Sequence, residues 1–335
     1  MMEKVDEKLS AKFANMAFVC ACLVASIHVC GEWRVVANGI AQIAVPFFFL
    51  ASGFFLAGHT DEKGWWRRET LKRVRTLLVP LAFWCVFGTL WGALWTAIAN
   101  HLAGRPLGDS ISFCNGEWVP GVGILWFMRT LFGYVVISPI IVWTLRRFGW
   151  LLPMGLYVIY WTVYSFVLPS CSESAYEFLY YVVSLEGLAY FTTGICFRLK
   201  EVPSSLRWMS ADYCKVPLAF VAIVLLASHL LYANISGEVV VDLKHYHYLF
   251  TMWVLFSMMP ERRWPKWLVG SAFAIYLLHC QVNVIGQIVV KRLSIDGTLV
   301  GFISRWVIVV MGAIVVANLL KRFCPRFAAG VFGGR

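Results

Sequence analysis

Of the ionisable side chains inside otherwise apolar stretches of this 335-residue chain, five stand out for their placing: His28, Arg129, Glu186, His229 and His279. An ionisable group at membrane depth costs several kcal/mol unless it is paired or hydrated, so each is a functional candidate by default. Counted along its own apolar run at 1.5 Å per residue, His28 lies roughly 22 Å from the inner boundary. Glu186 and Arg129 lie roughly 12 Å from the outer one, and His279 and His229 also fall near the outer third. All five thus share one layer. A cation, a carboxylate and imidazoles at one depth are the parts of an acid–base centre. The bland alternative keeps Glu186 and Arg129 as a neutral pair and each imidazole as a hydrogen bond to a neighbouring helix.

Other patterns carry less by themselves. Ser52-Gly53, after Pro46-Phe47-Phe48-Phe49-Leu50, fits a close helix contact, and Trp126-Phe127 fits an interfacial anchor. The stretch HTDEKGWWRRETLKRVR (59–75) can form an amphipathic helix from Lys63 onward, with Trp65 and Trp66 at the interface. Its basic face suits either contact with anionic lipid or docking of an anionic, nucleotide-bearing ligand. No G-x-S-x-G elbow, P-loop or H-E-x-x-H occurs, which leaves serine-hydrolase, P-loop and zincin chemistry without support. The ten cysteines are scattered and read mainly as small apolar packing residues. Cys20-x-Cys22 points to two faces of one helix and is a poor metal site, so no metal is expected. Cys30, Cys114 and Cys171 fall on the outer side, where a disulfide is allowed.

The elements that must position these groups follow from composition. Residues are 60% hydrophobic and 14% charged, with a mean hydropathy of +0.72. A soluble domain carries about 25% charged residues, so soluble classes are excluded, and the 16% aromatic content excludes disorder. A hydrocarbon core of ~30 Å takes roughly 20 apolar residues per helix. Ten such runs are read at about 13–30, 37–58, 76–99, 121–145, 149–169, 178–197, 216–233, 245–259, 267–289 and 301–320. They are too long and too continuously apolar for barrel strands. The fold class is all-α: one polytopic membrane domain over 1–335.

Net charge is +11, and its placement is informative. With the N-terminus inside, cytoplasmic segments hold 22 of the 29 Lys and Arg residues. Positive loops stay inside, so both termini are expected in the cytoplasm. The charge reports topology and not a nucleic-acid partner. Span one lacks a small-residue cleavage site and is not read as a signal peptide.

Taken in order, FVCACLVASIHV, PFFFLASGFFLAGH, LKRVRTLLVP, ILWFMRTLFGYVVISPII and SAFAIYLLH resemble the integral-membrane acyltransferase 3 family over nearly the whole chain. The resemblance implies transfer of an acyl group, usually acetyl, from cytoplasmic acyl-CoA to a hydroxyl of a cell-envelope sugar, glycan or lipid-linked saccharide. Acyl-CoA is then a co-substrate and no cofactor is permanently bound. Membrane lipids and the glycan acceptor are the other partners, with a homo-oligomer allowed, and the location is a cell membrane, the bacterial inner membrane. The family's span-one histidine falls on His28, its basic motif on Arg73 and Arg75, its Ser-Gly pair on Ser52 and Gly53, its Trp-Phe pair on Trp126 and Phe127, and its late Tyr-x-x-His on Tyr276 and His279. One position departs: the arginine commonly found eleven residues before the histidine is Ala17 here, and the nearest upstream cation is Lys12.

In the mechanism this implies, His28 is the general base. Arg129 or the Tyr276/His279 pair stabilises the oxyanion, and Glu186 orients an imidazole. The donor nucleotide sits on Arg68, Arg73 and Arg75, with Ser52, Gly53 and Trp126 along its arm. A transporter or exporter of a small polar or glycan-related substrate is the competing class. It lacks support from paired Gly/Pro-broken spans in corresponding halves. A non-catalytic membrane sensor is the third.

Overall fold

A computed structural model describes residues 7–29, 41–102, 123–200 and 238–334. Every regular element among them is helical. The chain forms α1 (Glu7–Val29), α2 (Ala44–Ala57), α3 (Trp65–Arg73), α4 (Val79–Leu102), α5 (Trp126–Phe148), α6 (Leu151–Thr162), α7 (Glu173–Glu177), α8 (Leu185–Leu199), α9 (Glu238–Met258), α10 (Lys266–Val269), α11 (Ala272–Arg292), α12 (Leu299–Phe323) and α13 (Pro325–Val331). Among the described residues, seven continuous helical stretches are long and apolar enough to cross a bilayer, so the protein is an all-α, multi-pass membrane protein. The run read at 216–233, with His229, lies outside the described residues.

The span expected at 76–99 belongs to a helix that starts earlier, at Trp65. Of the run at 37–58, residues 37–40 lie outside the described residues, and α2 covers Ala44–Ala57. The amphipathic α3 enters α4 through a π-helical turn, Val74–Leu78. Pro80 has no N–H to give to the Thr76 carbonyl, so the ladder must widen before it. Two more π turns, Val163–Val167 and Phe178–Val183, flank the short α7. Ser184, with a φ of 42°, turns the chain into α8, and its hydroxyl accepts from the Gly187 N–H.

Packing is closest where glycines remove side chains. A Cβ at Gly53 would collide with the Phe191 carbonyl, and one at Gly194 with the Leu50 carbonyl. Reciprocal glycines on α2 and α8 thus set their two backbones against each other, a contact open only to small residues. The C-terminal α13 folds back onto α4: Trp84 Nε1 donates to the Val331 carbonyl at 2.9 Å, and Phe332 is buried. Apolar side chains on the bundle's outside, such as Ile140, Trp143 and Val300, are exposed, as a lipid-facing surface requires.

In lipid a polar group must find its partner within the protein, and α1 is fastened that way along its length. Lys12 Nζ donates to the Ser257 carbonyl at 2.9 Å. Buried Asn15 donates to the carbonyls of Pro260 and Arg262 at 3.2 and 3.1 Å and accepts from the Trp264 N–H at 3.0 Å. Trp306 Nε1 donates to the Cys22 carbonyl at 2.8 Å.

Gly53→Ala is expected to lower thermal stability by about 1–3 kcal/mol through overpacking. Gly133→Ala, whose added methyl meets open space, should stay within about 0.5 kcal/mol of wild type. Thermal unfolding of the detergent-purified proteins measures both.

Candidate active site

The histidine centre is assembled by two helices. His28 occupies the last turn of α1 and is exposed, whereas His279 in the second turn of α11 is fully buried. Their ring centroids are 4.7 Å apart at 42°, a contact too tilted for stacking. Asn283, one turn further along α11, donates from Nδ2 to the His28 carbonyl at 3.1 Å. Arg305 of α12 donates from Nε to Asn283 Oδ1 at 2.6 Å. The chain Arg305–Asn283–His28 therefore pins the end of α1 against α11.

Each imidazole has its own surroundings. His279 Nδ1 lies 2.7 Å from the Tyr276 carbonyl and 3.2 Å from that of Ile275. Carbonyls only accept, so Nδ1 carries the proton and Nε2 keeps a lone pair. That Nε2 is buried with no hydrogen-bond partner among the described residues. Cys280 is partly buried, and its Sγ and the two imidazole nitrogens all lie within 4.8 Å of one another.

Beneath this centre is a cavity of about 610 Å³. On α1 it touches Ser10, Phe13, Ala14 and Ala17, a single helical stripe at i, i+3, i+4 and i+7. Eleven further residues are almost three whole turns, so the stripe leads to His28 about 16 Å higher. On α11 it reaches Tyr276, one turn before His279. The upper walls are apolar, with Phe47, Phe48 and Phe127, while Lys72, Arg73 and Arg263 line the lower end. Arg73 is held 3.9 Å from Glu69, and its Nε is buried with no acceptor among the described residues. Arg263 lies in the segment that Asn15 ties to α1.

The expected site residues divide accordingly. His28, His279 and Tyr276 are brought together; the Tyr276 hydroxyl, however, is already donated to the Ile124 carbonyl. Arg73 and Ser52 line the cavity, and so does Ala17, where the departure from the expected arginine falls. Lys12 is not on the cavity wall, and its ammonium donates to the Ser257 carbonyl of α9. Arg68 binds the Glu62 carboxylate and the Lys63 carbonyl on the surface, and Arg75 is exposed away from the cavity walls. Arg75 lies two positions beyond Arg73, about 200° around a helix. Gly53 serves the α2–α8 contact rather than a ligand. Trp126 packs against Phe49 and Tyr181, and it is Phe127 that faces the cavity.

Glu186 opens α8 and lines a small cleft with Tyr160, Tyr164 and Tyr180, apart from the cavity below His28 and His279. Arg129 reaches the Tyr181 carbonyl at 3.3 Å. Sequence reasoning missed Lys72, Arg263, Cys280 and Asn283; only the adjacency of Cys280 to His279 offered a signal. Cys171 is a free thiol, and Cys30 and Cys114 lie outside the described residues.

No curated protein and no solved structure matches the chain. A family model, described as an acyltransferase domain, matches residues 16–322. That span runs from the middle of α1 to the end of α12 and includes both histidines, so the chain belongs to the acyltransferase 3 family.

Proposed function

We propose that the protein moves an acyl group, acetyl in the simplest case, from cytoplasmic acyl-CoA to a hydroxyl of a cell-envelope sugar, glycan or lipid-linked saccharide. On this reading it works as a single domain in the bacterial inner membrane, with both termini inside. The observation that carries the proposal is the cavity: its wall holds Lys72, Arg73 and Arg263 beside a single carboxylate, Glu69, is otherwise largely apolar, and includes Tyr276 one turn from the paired histidines. Phosphates of the donor pair with Arg73, Lys72 and Arg263 at the base, since guanidinium and ammonium groups bind phosphate oxygens well. The thioester arm then occupies the apolar part and presents its carbonyl carbon near His28.

His28 removes the acceptor proton as the hydroxyl oxygen attacks the thioester carbon. The C–S bond breaks, CoA leaves as its thiolate, and the proton held by His28 returns to that sulfur. His279, its Nδ1–H fixed on Tyr276, keeps one tautomer and turns its Nε2 lone pair toward the same space. Because its hydroxyl is committed to Ile124, Tyr276 is assigned to shaping the cavity and not to holding the oxyanion. Glu186 is assigned to the tyrosine cleft and not to orienting an imidazole.

Two outcomes are expected from titrating acetyl-CoA into purified protein while following transfer and slow thioester hydrolysis. Arg73→Ala weakens donor binding by about ten-fold or more, the loss of a charged hydrogen bond of ~1.5–3 kcal/mol, whereas Arg75→Ala changes it less than about two-fold. His28→Ala keeps donor binding and loses transfer. A folded wild type that binds no acyl-CoA, together with substrate flux in vesicles lacking any acyl donor, would overturn the enzyme in favour of a transporter.

A further inference from the structure

We infer that His28, His279 and Cys280 form a site for a soft or borderline transition-metal ion, zinc above all, and that an ion bound there switches off acyl transfer. The ligand atoms already converge, all within 4.8 Å of one another. Zn–N and Zn–S bonds of about 2.0–2.1 and 2.3 Å place tetrahedral ligand atoms about 3.4–3.6 Å apart. Rotation of exposed His28 and of the Cys280 thiol closes the difference of about 1 Å.

A second, independent observation points to a ligand. His279 is fully buried, yet its Nε2 has no partner among the described residues, and a buried polar atom left unpaired costs free energy. Its Nδ1–H is fixed on the Tyr276 carbonyl at 2.7 Å. This is the arrangement that orients a metal-binding imidazole, one nitrogen tied to a backbone carbonyl and the other free to coordinate. Two imidazoles with one thiolate make a donor set for zinc, cobalt or copper, whereas magnesium and calcium prefer oxygen. The backbone of His28 is clamped through Asn283 and Arg305, so only its side chain needs to move. Exposure of His28 gives the ion a way in.

The consequence for catalysis is direct. Metal binding uses the neutral imidazole lone pair of His28 and displaces the Cys280 proton to solvent. A base whose lone pair is coordinated cannot take the acceptor proton, so the loaded protein is inactive. Inhibition rests on the proposed role of His28; the site itself does not.

Cobalt titration of the detergent-purified protein tests the site without any turnover. Wild type should show sulfur-to-cobalt charge-transfer and d–d absorption bands at one ion per chain, and Cys280→Ser should lose the charge-transfer band. Zinc-buffered transfer assays test the switch. Micromolar free zinc should inhibit wild type reversibly, with recovery on chelation. Cys280→Ser should keep metal-free activity and need about ten-fold more zinc. Folded wild type with no cobalt bands would overturn the site. Equal zinc sensitivity in both proteins would overturn the switch. If no transfer occurs even without metal, the acyltransferase reading fails while the cobalt result still decides the site.

Discussion

Everything at the two ends of this protein depends on the register of one helix. α1 carries Ser10 and Ala17 into the cavity wall and His28 to the histidine centre, so any slip or rotation of α1 misaligns both at once. The bundle holds it with directional bonds at successive levels: Lys12 to α9, Asn15 to the segment before α10, Trp306 to the Cys22 carbonyl, and Asn283 to the His28 carbonyl. In water such bonds exchange with solvent and contribute modestly. In hydrocarbon the alternative is an unpaired polar group, so they resist sliding more firmly. Greasy packing alone gives no such register, because lipid tails are as apolar as the helix faces they would replace.

That rigidity lets a charged ligand and a neutral reaction share one channel. The cationic groups are gathered at the base on α3 and beside Asn15, where screening by water keeps their presence tolerable. Above them the walls become aromatic and aliphatic, which suits an uncharged arm and strengthens the few electrostatic contacts made at its tip. Polarity returns at the histidine pair. The division of labour follows from where charge is affordable in a membrane.

Much of this was legible in the sequence, and the failures share a cause. Apolar run length located the helices, because burial in lipid leaves a signal independent of neighbours. Azimuth was not legible. Arg73 and Arg75 look equivalent in the string LKRVR, but of the two only Arg73 lines the cavity. Shared depth grouped Glu186 with the histidines, whereas depth says nothing about which side of the bundle a group occupies; the left-handed Ser184 and the π turns around α7 send Glu186 to the tyrosine cleft. Gly53 was read both as a packing residue and as part of a ligand motif, and the backbone of Phe191 decides for packing. The meeting of His28 with Cys280 is a property of the α1–α11 pairing, which no local pattern encodes.

The close seating of α2 on α8 has a consequence of another kind. With Gly53 and Gly194 each set against a backbone carbonyl of the opposite helix, the two helices move only as one body. Ser52, on the cavity wall, and Glu186, in the tyrosine cleft, are carried on that same piece. Any displacement at one is a displacement at the other.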